Sequence, residues 1–168
     1  EQRPHLRVAA GQGVERVFHL AARADIVPSI QEPEAYFRSN VDGTFAVLEA
    51  SRRSQIKRFV YVASSSCYGI PSIYPTPETA PADPQYPYAL TKYLGEQTVL
   101  HWAKVYRLPA VSVRFFNVYG PRQALSNPYT GVLAIFAARL INGRPPLIFE
   151  DGRQRRDFVH VQDVARAC

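Results

Sequence analysis

Apolar residues along this chain follow two different spacings. Short runs rich in β-branched and aromatic residues predict buried strands, and apolar residues at every third or fourth position predict helices. The predicted strands are RVFHLAA (16–22), KRFVYVASS (57–65), AVSVRFFN (110–117) and DFVHV (157–161), with PLIFED (146–151) as a further extended segment. The predicted helices are residues 34–54, 88–106 and 129–142, followed by a last helix that Asp163 is expected to cap.

This order of elements predicts the fold class. Strands that alternate with long helices form right-handed βαβ units, which build a parallel, doubly wound α/β sheet with helices on both faces. In such sheets ligands bind beyond the carboxyl ends of the strands. Small or polar residues stand at three of these ends, namely Ala21 and Ala22, Ser64 to Ser66, and Asn117. The pattern therefore predicts a ligand site at this edge.

Cysteine usage and hydropathy narrow the class of protein. The chain of 168 residues has the length of one compact domain or of part of a larger one. Only Cys67 and Cys168 are present, without a CxxC pair or a Cys/His cluster at metal-ligand spacing, so we expect a cytoplasmic protein with no disulfide framework and no metal. The longest apolar run, residues 132–141, is half of a membrane span, and no membrane association is expected.

The charge balance separates two classes of partner. The formal net charge is +6, and the basic residues are scattered along the chain. A groove for nucleic acid needs a continuous basic stripe, so this distribution favours a small anionic ligand. A solvated basic surface is the alternative interpretation.

Tyr88 and Lys92 are the first candidates for chemistry. They stand four positions apart in a predicted helix, so their side chains share one face. A lysine ammonium beside a phenol favours the phenolate and lowers the pKa of the tyrosine toward neutrality. A serine at a strand end, such as Ser64, can then share the proton with a substrate hydroxyl. A surface pair with no chemical role is the alternative for this spacing alone.

Six short segments occur in order along the chain. They are VFHLAA (17–22), NVDGT (40–44), VASSSCYG (62–69), YPYALTK (86–92), RFFNVYGPR (114–122) and DGRQRRDFVHVQDVA (151–165). Together they resemble the extended short-chain dehydrogenase/reductase family, within it the NAD-dependent nucleotide-sugar epimerases and dehydratases. The resemblance implies a Rossmann-type NAD(P)-binding sheet, NAD as the cofactor, and a UDP- or dTDP-sugar as the substrate.

The resemblance also implies roles for residues at the matched positions. The catalytic set is Ser64, Tyr88 and Lys92, with Tyr88 as the base. The cofactor set is Ala21, Ala22, Asn40 and Lys92, of which Lys92 would hydrogen-bond the nicotinamide ribose. The substrate set is Ser65, Ser66, Asn117 and Arg156, the last two holding the sugar-nucleotide diphosphate. Asn40 has an equal alternative as a helix-start or packing residue. His19 is expected to be a hydrogen-bonded core histidine.

The serine run after Ser64 distinguishes between reactions of the family. Similar dehydratases carry an Asp-Glu pair where this chain has Ser65 and Ser66. Elimination of water needs a carboxylate-type acid and base, and hydroxyls with a far higher pKa do not replace them. The expected reaction is therefore 4-epimerisation, with 4,6-dehydration or reduction as the second choice. A dinucleotide-binding module without catalysis is the alternative of another class.

The resemblance divides the chain into three parts. Residues 1–120 correspond to a dinucleotide-binding domain without its Gly-rich first βα units, 121–156 to the beginning of a substrate-binding lobe, and 157–168 to a strand and the start of a helix. The chain is therefore expected to be an internal fragment that binds NAD poorly and is inactive alone. Relatives are often dimers through two long helices, for which 34–54 and 88–106 are the candidates.

Overall fold

A computed structural model of the chain describes residues 13–124, 131–149 and 151–168. Its strands are β1 (Arg16–His19), β2 (Arg58–Ser64), β3 (Ala110–Phe115), β4 (Asn117–Tyr119) and β5 (Phe158–His160). Its α-helices are α1 (Ile26–Gln31), α2 (Pro33–Tyr36), α3 (Gly43–Arg53), α4 (Pro87–Tyr106), α5 (Val132–Ile141) and α6 (Val161–Ala167). A π-helical turn (Phe37–Asp42) joins α2 to α3, and a 3-10 turn (Ser65–Tyr68) follows β2. The described residues divide into two compact units, one ending at Arg114 and one beginning at Phe115.

The first unit is built on a three-stranded sheet in the order β1-β2-β3. β1 and β2 are parallel, with Arg16 opposite Arg58 and His19 opposite Tyr61. The central strand β2 is buried at every position from Phe59 to Ser64, as expected for a strand with covered faces. Because the two strands run parallel in this register, their carboxyl ends lie at the same edge of the sheet.

The core of the first unit lies between this sheet and the two longest helices. α4 packs along β2, and α3 contacts both β1 and α4. The buried cluster that joins them contains Leu48 from α3, Phe59 and Tyr61 from β2, and Val99 from α4. Arg107 adopts the left-handed conformation at φ 53° immediately after α4, which ends the helix there. The burial of these large side chains fixes α4 against the carboxyl half of β2.

The second unit contains a two-stranded parallel sheet of β4 and β5. Asn117 lies opposite Phe158, and Tyr119 lies opposite His160. Gly120 follows β4 at φ +148°, and a Cβ at this position would lie 2.5 Å from Cγ1 of Val161. Glycine is therefore required where the chain leaves β4 and passes close to the start of α6.

Most of the predicted elements are confirmed within a few residues. Residues 146–149 of the predicted extended segment 146–151 form no paired strand, residue 151 lies in a turn, and residue 150 lies outside the described part of the chain. The predicted cap Asp163 is wrong, because α6 begins two residues earlier and the side chain of His160 accepts a hydrogen bond from the Gln162 N–H instead. The short helix α1 was not predicted from the sequence.

The parallel α/β architecture is as expected, and helices such as α4 accompany its strands. The functional labels for residues 1–120, 121–156 and 157–168 stay predictions. Among the described residues, no helix combines the length and the apolar character that crossing a membrane requires.

Truncation of a core leucine tests this packing. Leu48 is fully buried between α3 and the sheet, whereas Leu100 on α4 is exposed. We expect Leu48→Ala to lower the free energy of unfolding of the chain by about 2–5 kcal/mol, because it removes buried methyl groups and leaves a cavity. Leu100→Ala is the matched control and should cost less than about 1 kcal/mol. Urea denaturation followed by circular dichroism measures both, and equal losses would contradict this description of the core.

Candidate active site

One face of α4 carries most of the candidate chemistry. The helix begins at Pro87, which is suited to a first helical position because its nitrogen has no hydrogen to leave unpaired. Its buried residues recur every three or four positions and include three polar ones, Thr91, Lys92 and Glu96. Buried polar side chains require partners, so the contacts of these three residues define the surroundings of the site.

The structure brings Ser64 and Tyr88 together, as the sequence predicted. Ser64 is the last residue of β2, and its Oγ accepts a hydrogen bond of 3.2 Å from the Ser66 N–H at the start of the 3-10 turn. The same side chain lies close enough to the Tyr88 phenol to lower its pKa. Ser65 and Ser66 lie in the turn and are half-buried. A hydroxyl pair thus stands at the carboxyl edge of the sheet.

The predicted effect on the pKa of Tyr88 is wrong for this state of the protein. Burial raises the pKa of the phenol above its ordinary value, and the nearby Ser64 side chain only partly opposes this shift. The charge of Lys92 therefore does not bring the pKa of this phenol toward neutrality. Desolvation of the phenolate therefore outweighs the favourable contacts that the chain itself provides.

Lys92 is almost completely buried, with 3% of its surface exposed. Its ammonium lies 4.7 Å from the ring centroid of Tyr61 on β2, a cation–π contact. Burial lowers the pKa of Lys92 to about 8, so the side chain is still mainly protonated at neutral pH. The protein thus holds a desolvated positive charge beside an aromatic face, one helical turn from Tyr88.

A buried hydrogen-bonded group continues from Tyr61 to the end of β1. Oγ1 of Thr44 on α3 lies 3.0 Å from Nε2 of His19, and the same side chain lies close to the Tyr61 hydroxyl. Burial, and secondarily the charge of Lys92, lower the pKa of His19 to about 4. His19 is therefore a neutral, hydrogen-bonded core histidine, as expected.

Asn40 holds the loop that follows β1. Its Oδ1 accepts a hydrogen bond of 2.7 Å from the Arg23 N–H, and its Nδ2 donates to the Arg23 carbonyl and to Oγ1 of Thr91. Both amide hydrogens are thus used within the protein, which favours the packing alternative over a donor contact to a cofactor. The loop held in this way carries Ala21 and Ala22, which are exposed.

Glu96 joins α4 to β3 and to the turn after Ser64. Arg114 donates two hydrogen bonds to its carboxylate, at 2.6 and 3.0 Å, and the Ser112 hydroxyl donates a third. The Arg114 guanidinium lies over the ring of Tyr68 at 4.3 Å from its centroid. This ion pair was not predicted, although the spacing of Glu96 four positions after Lys92 places both on one helix face.

The second unit brings together the two residues that were expected to bind a diphosphate. The backbone N–H and the side-chain Nδ2 of Asn117 both donate to the carbonyl of Asp157, at 3.2 and 3.1 Å. Arg156 directly precedes Asp157 and is exposed, with its Nη1 donating to the Arg155 carbonyl. A guanidinium and an amide therefore stand at the start of the β4–β5 pair.

Comparison with known proteins decides the family. A family model described as "NAD dependent epimerase/dehydratase family" matches residues 4–168. The chain belongs to this family. A putative UDP-glucose 4-epimerase of Methanocaldococcus jannaschii is 38% identical over 92% of this chain and 50% of its own length. A UDP-glucose 4-epimerase of Mycolicibacterium smegmatis is 40% identical over 91% of the chain and 49% of its own length.

Solved structures and a further relative show the breadth of the epimerase/dehydratase family. A UDP-N-acetylglucosamine 4-epimerase of Methanobrevibacter ruminantium, in complex with UDP-N-acetylmuramic acid, has a TM-score of 0.88 and 37% identity over 91% of this chain and 49% of its own. A dTDP-glucose 4,6-dehydratase of Streptomyces niveus is 30% identical over 92% of this chain and 45% of its own length. The chain thus spans about half the length of the relatives that it matches.

The cofactor of this family is NAD. A UDP-glucose 4-epimerase of Thermus thermophilus was solved in complex with NAD, and it has a TM-score of 0.82 and 35% identity over 92% of this chain and 51% of its own. The residues of the first unit fit NAD. Ala21 and Ala22 are small and exposed, and they precede Arg23, whose backbone Asn40 holds, at the edge where ligands of this fold bind. Their small side chains allow a dinucleotide to approach the backbone.

The titration of His19 gives a test of this buried group. The unfolded chain binds a proton at His19 near pH 6.5, whereas the folded protein does so only near pH 4. The folded state is therefore favoured above pH 6.5 and loses stability as the pH falls from about 6.5 toward 4. In urea denaturation, the free energy of unfolding should fall between pH 6.5 and pH 4.5 by about 2 kcal/mol more in the wild type than in His19→Gln.

An exposed histidine on α4 provides the control for this experiment. His101 is exposed, so His101→Gln should retain the pH dependence of the wild type. If His19→Gln also retained it, the buried neutral state of His19 would be refuted.

Proposed function

We propose that the protein epimerises C4 of a nucleotide-diphosphate sugar through a transient 4-keto intermediate. The observation that supports this proposal most is the interaction of the Ser64 and Tyr88 side chains at the carboxyl edge of the sheet, on a helix that carries the buried Lys92 one turn further on. A phenol and a hydroxyl in this arrangement can pass a proton to and from a sugar hydroxyl. Membership of the epimerase/dehydratase family supports the proposal at the level of the family.

Each side chain has a distinct part in this scheme. NAD, when bound, supplies a hydride acceptor and donor at the sugar carbon and a positive charge beside the site. The Oη of Tyr88 takes the proton of the C4 hydroxyl and returns it after the keto sugar has turned over. The Ser64 hydroxyl orients that substrate oxygen, and the Lys92 ammonium favours the phenolate. The positive charges are needed because burial alone keeps the pKa of Tyr88 high.

Dehydration is the second candidate, since a dTDP-glucose 4,6-dehydratase is among the relatives. Epimerisation is preferred because Ser65 and Ser66 occupy the positions after Ser64 where elimination needs carboxyl groups. We therefore expect 4-epimerisation without a 4-keto-6-deoxy product.

The substrate is proposed to be a UDP- or dTDP-sugar. Relatives named above act on or bind UDP-sugars, and Asn117 with Arg156 offers donors suited to a diphosphate. The homodimer, the cytoplasmic location and weak NAD binding by the 168-residue chain alone stay predictions.

Replacement of Tyr88 by phenylalanine tests the mechanism. In the protein encoded by the complete reading frame, Tyr88→Phe should lower kcat by about 10²–10⁴-fold, because it removes the group that exchanges a proton with the sugar. NAD binding measured by calorimetry should be retained. The assay follows the formation of the C4 epimer from UDP- or dTDP-sugars by NMR, together with the absence of net NADH.

Tyr93→Phe, which removes a phenol from the same helix, is the matched control and should keep wild-type turnover. A 4-keto-6-deoxy product from the wild type would favour the dehydratase. Unchanged epimerisation in Tyr88→Phe would contradict the mechanism, and wild-type protein that binds NAD without any turnover would favour a non-catalytic module.

A further inference from the structure

The surroundings of Lys92 are unusual for a buried cation. Buried ammonium groups are ordinarily paired with a carboxylate or with several hydrogen-bond acceptors. In the described part of the chain, the contact recorded for the Lys92 ammonium is the ring face of Tyr61, at 4.7 Å. The nearest acid along α4, Glu96, is engaged by Arg114 and Ser112. The position of the charge therefore depends on an aromatic ring.

Tyr61 is itself held in place from three directions. Its hydroxyl donates a hydrogen bond of 3.2 Å to the carbonyl of Lys92, so the same residue contacts both the backbone and the charged end of the lysine. The Thr44 side chain also lies close to this hydroxyl. The ring also lies 5.8 Å from that of His19 and belongs to the buried core cluster. The ring consequently has little freedom to move.

Gly95 provides the space that this arrangement requires. A Cβ at position 95 would lie 2.8 Å from Cζ of Tyr61 and closer still to the hydroxyl oxygen. A Cβ does not approach a non-bonded carbon this closely, so any larger residue would push the ring away from α4. Glycine costs helix stability in the middle of a long helix, and the close approach of Tyr61 gives a reason for it here.

We propose that Tyr61, seated against Gly95, is a positioning residue that holds the Lys92 ammonium on the buried face of α4, one helical turn after Tyr88. The ring face attracts the cation, and the hydroxyl fixes the ring to the helix turn that carries the lysine. The consequence for catalysis rests on the proposed epimerase activity. The position of the Lys92 ammonium does not depend on that activity, and it can be measured separately.

A general packing role for Tyr61 makes a different prediction. Phe59 stands two positions earlier on β2, is equally buried and belongs to the same core cluster, but the cation–π contact of Lys92 is with Tyr61 and not with Phe59. Removal of either ring leaves a cavity in the core. Only the loss of Tyr61 should change the behaviour of Lys92, and Phe59→Leu is therefore the matched control for Tyr61→Leu.

The first experiment measures the accessibility of Lys92 in the protein encoded by the complete reading frame. Brief acetylation with acetic anhydride at fixed pH, followed by peptide mass spectrometry, compares Lys92 with the exposed Lys57 and Lys104 of the same sample. Tyr61→Leu should raise the relative labelling of Lys92 by about fivefold or more, because the cation loses its ring contact. Tyr61→Phe and Phe59→Leu should label as the wild type does.

The second experiment measures turnover. Tyr61→Leu should lower kcat by about tenfold or more with little change of KM, whereas Tyr61→Phe, which keeps the ring face, should stay within about threefold of the wild type. Gly95→Ala is a second route to the same effect, since alanine favours the helix but displaces the ring. It should raise Lys92 labelling and lower kcat even if Tyr61→Leu does not fold.

The outcomes separate the two proposals. Unchanged Lys92 labelling in Gly95→Ala and in folded Tyr61→Leu, or equal labelling in Phe59→Leu, would overturn the positioning role. Selective labelling together with a wild type that has no epimerase activity would support the positioning role and refute the proposed function instead.

Discussion

The buried polar face of α4 is the constraint on which the first unit depends. Each of its three buried polar residues has a partner on a different element: Thr91 contacts Asn40, Lys92 contacts Tyr61, and Glu96 binds Arg114. Apolar packing between a helix and a sheet tolerates small shifts, whereas directional contacts in a medium of low dielectric constant do not. The polar face thus fixes both the rotation and the axial position of α4, and with them the place of Tyr88.

This arrangement explains the electrostatics of the candidate site. The same burial that positions Lys92 removes its water and lowers its pKa to about 8, and it raises the pKa of the neighbouring phenol. Both shifts disfavour charge, as expected for desolvation. In the proposed reaction, a site of this kind would hold its groups close to the point of proton exchange, and the positive charge of bound NAD would shift the equilibrium of Tyr88 toward the phenolate.

The sequence predicted the parts of the site that depend on local spacing. Tyr88 and Lys92 share a helix face wherever the helix lies, and Ser64 ends an apolar run that is a strand in any parallel sheet. The contact between Tyr61 and Lys92 joins residues 31 positions apart. Whether Tyr61 and Lys92 meet depends on how closely α4 approaches β2. Gly95 permits this close approach, but the spacing of apolar residues along the chain does not indicate it. The pKa of Tyr88 was mispredicted for a related reason, because spacing does not report desolvation.

Two other differences have local causes. Aspartate is a common helix-capping residue, which favoured Asp163. The backbone of β5 passes directly into α6, however, so His160 stands at the capping position. Residues 146–149 have the apolar character of a strand, yet in the described part of the second unit only β4 and β5 pair. An apolar run becomes a strand only where a neighbouring backbone supplies hydrogen bonds.

Titration of Lys92 by NMR tests the central claim most directly. Lysine labelled with ¹³C at Cε gives three signals, from Lys57, Lys92 and Lys104, and a Lys92→Arg variant assigns the buried one. A desolvated ammonium on the buried face of α4 should titrate near pH 8. A Lys92 signal that titrates at the ordinary lysine pKa, near about 10.4, would mean that the charge is solvated and would contradict this account.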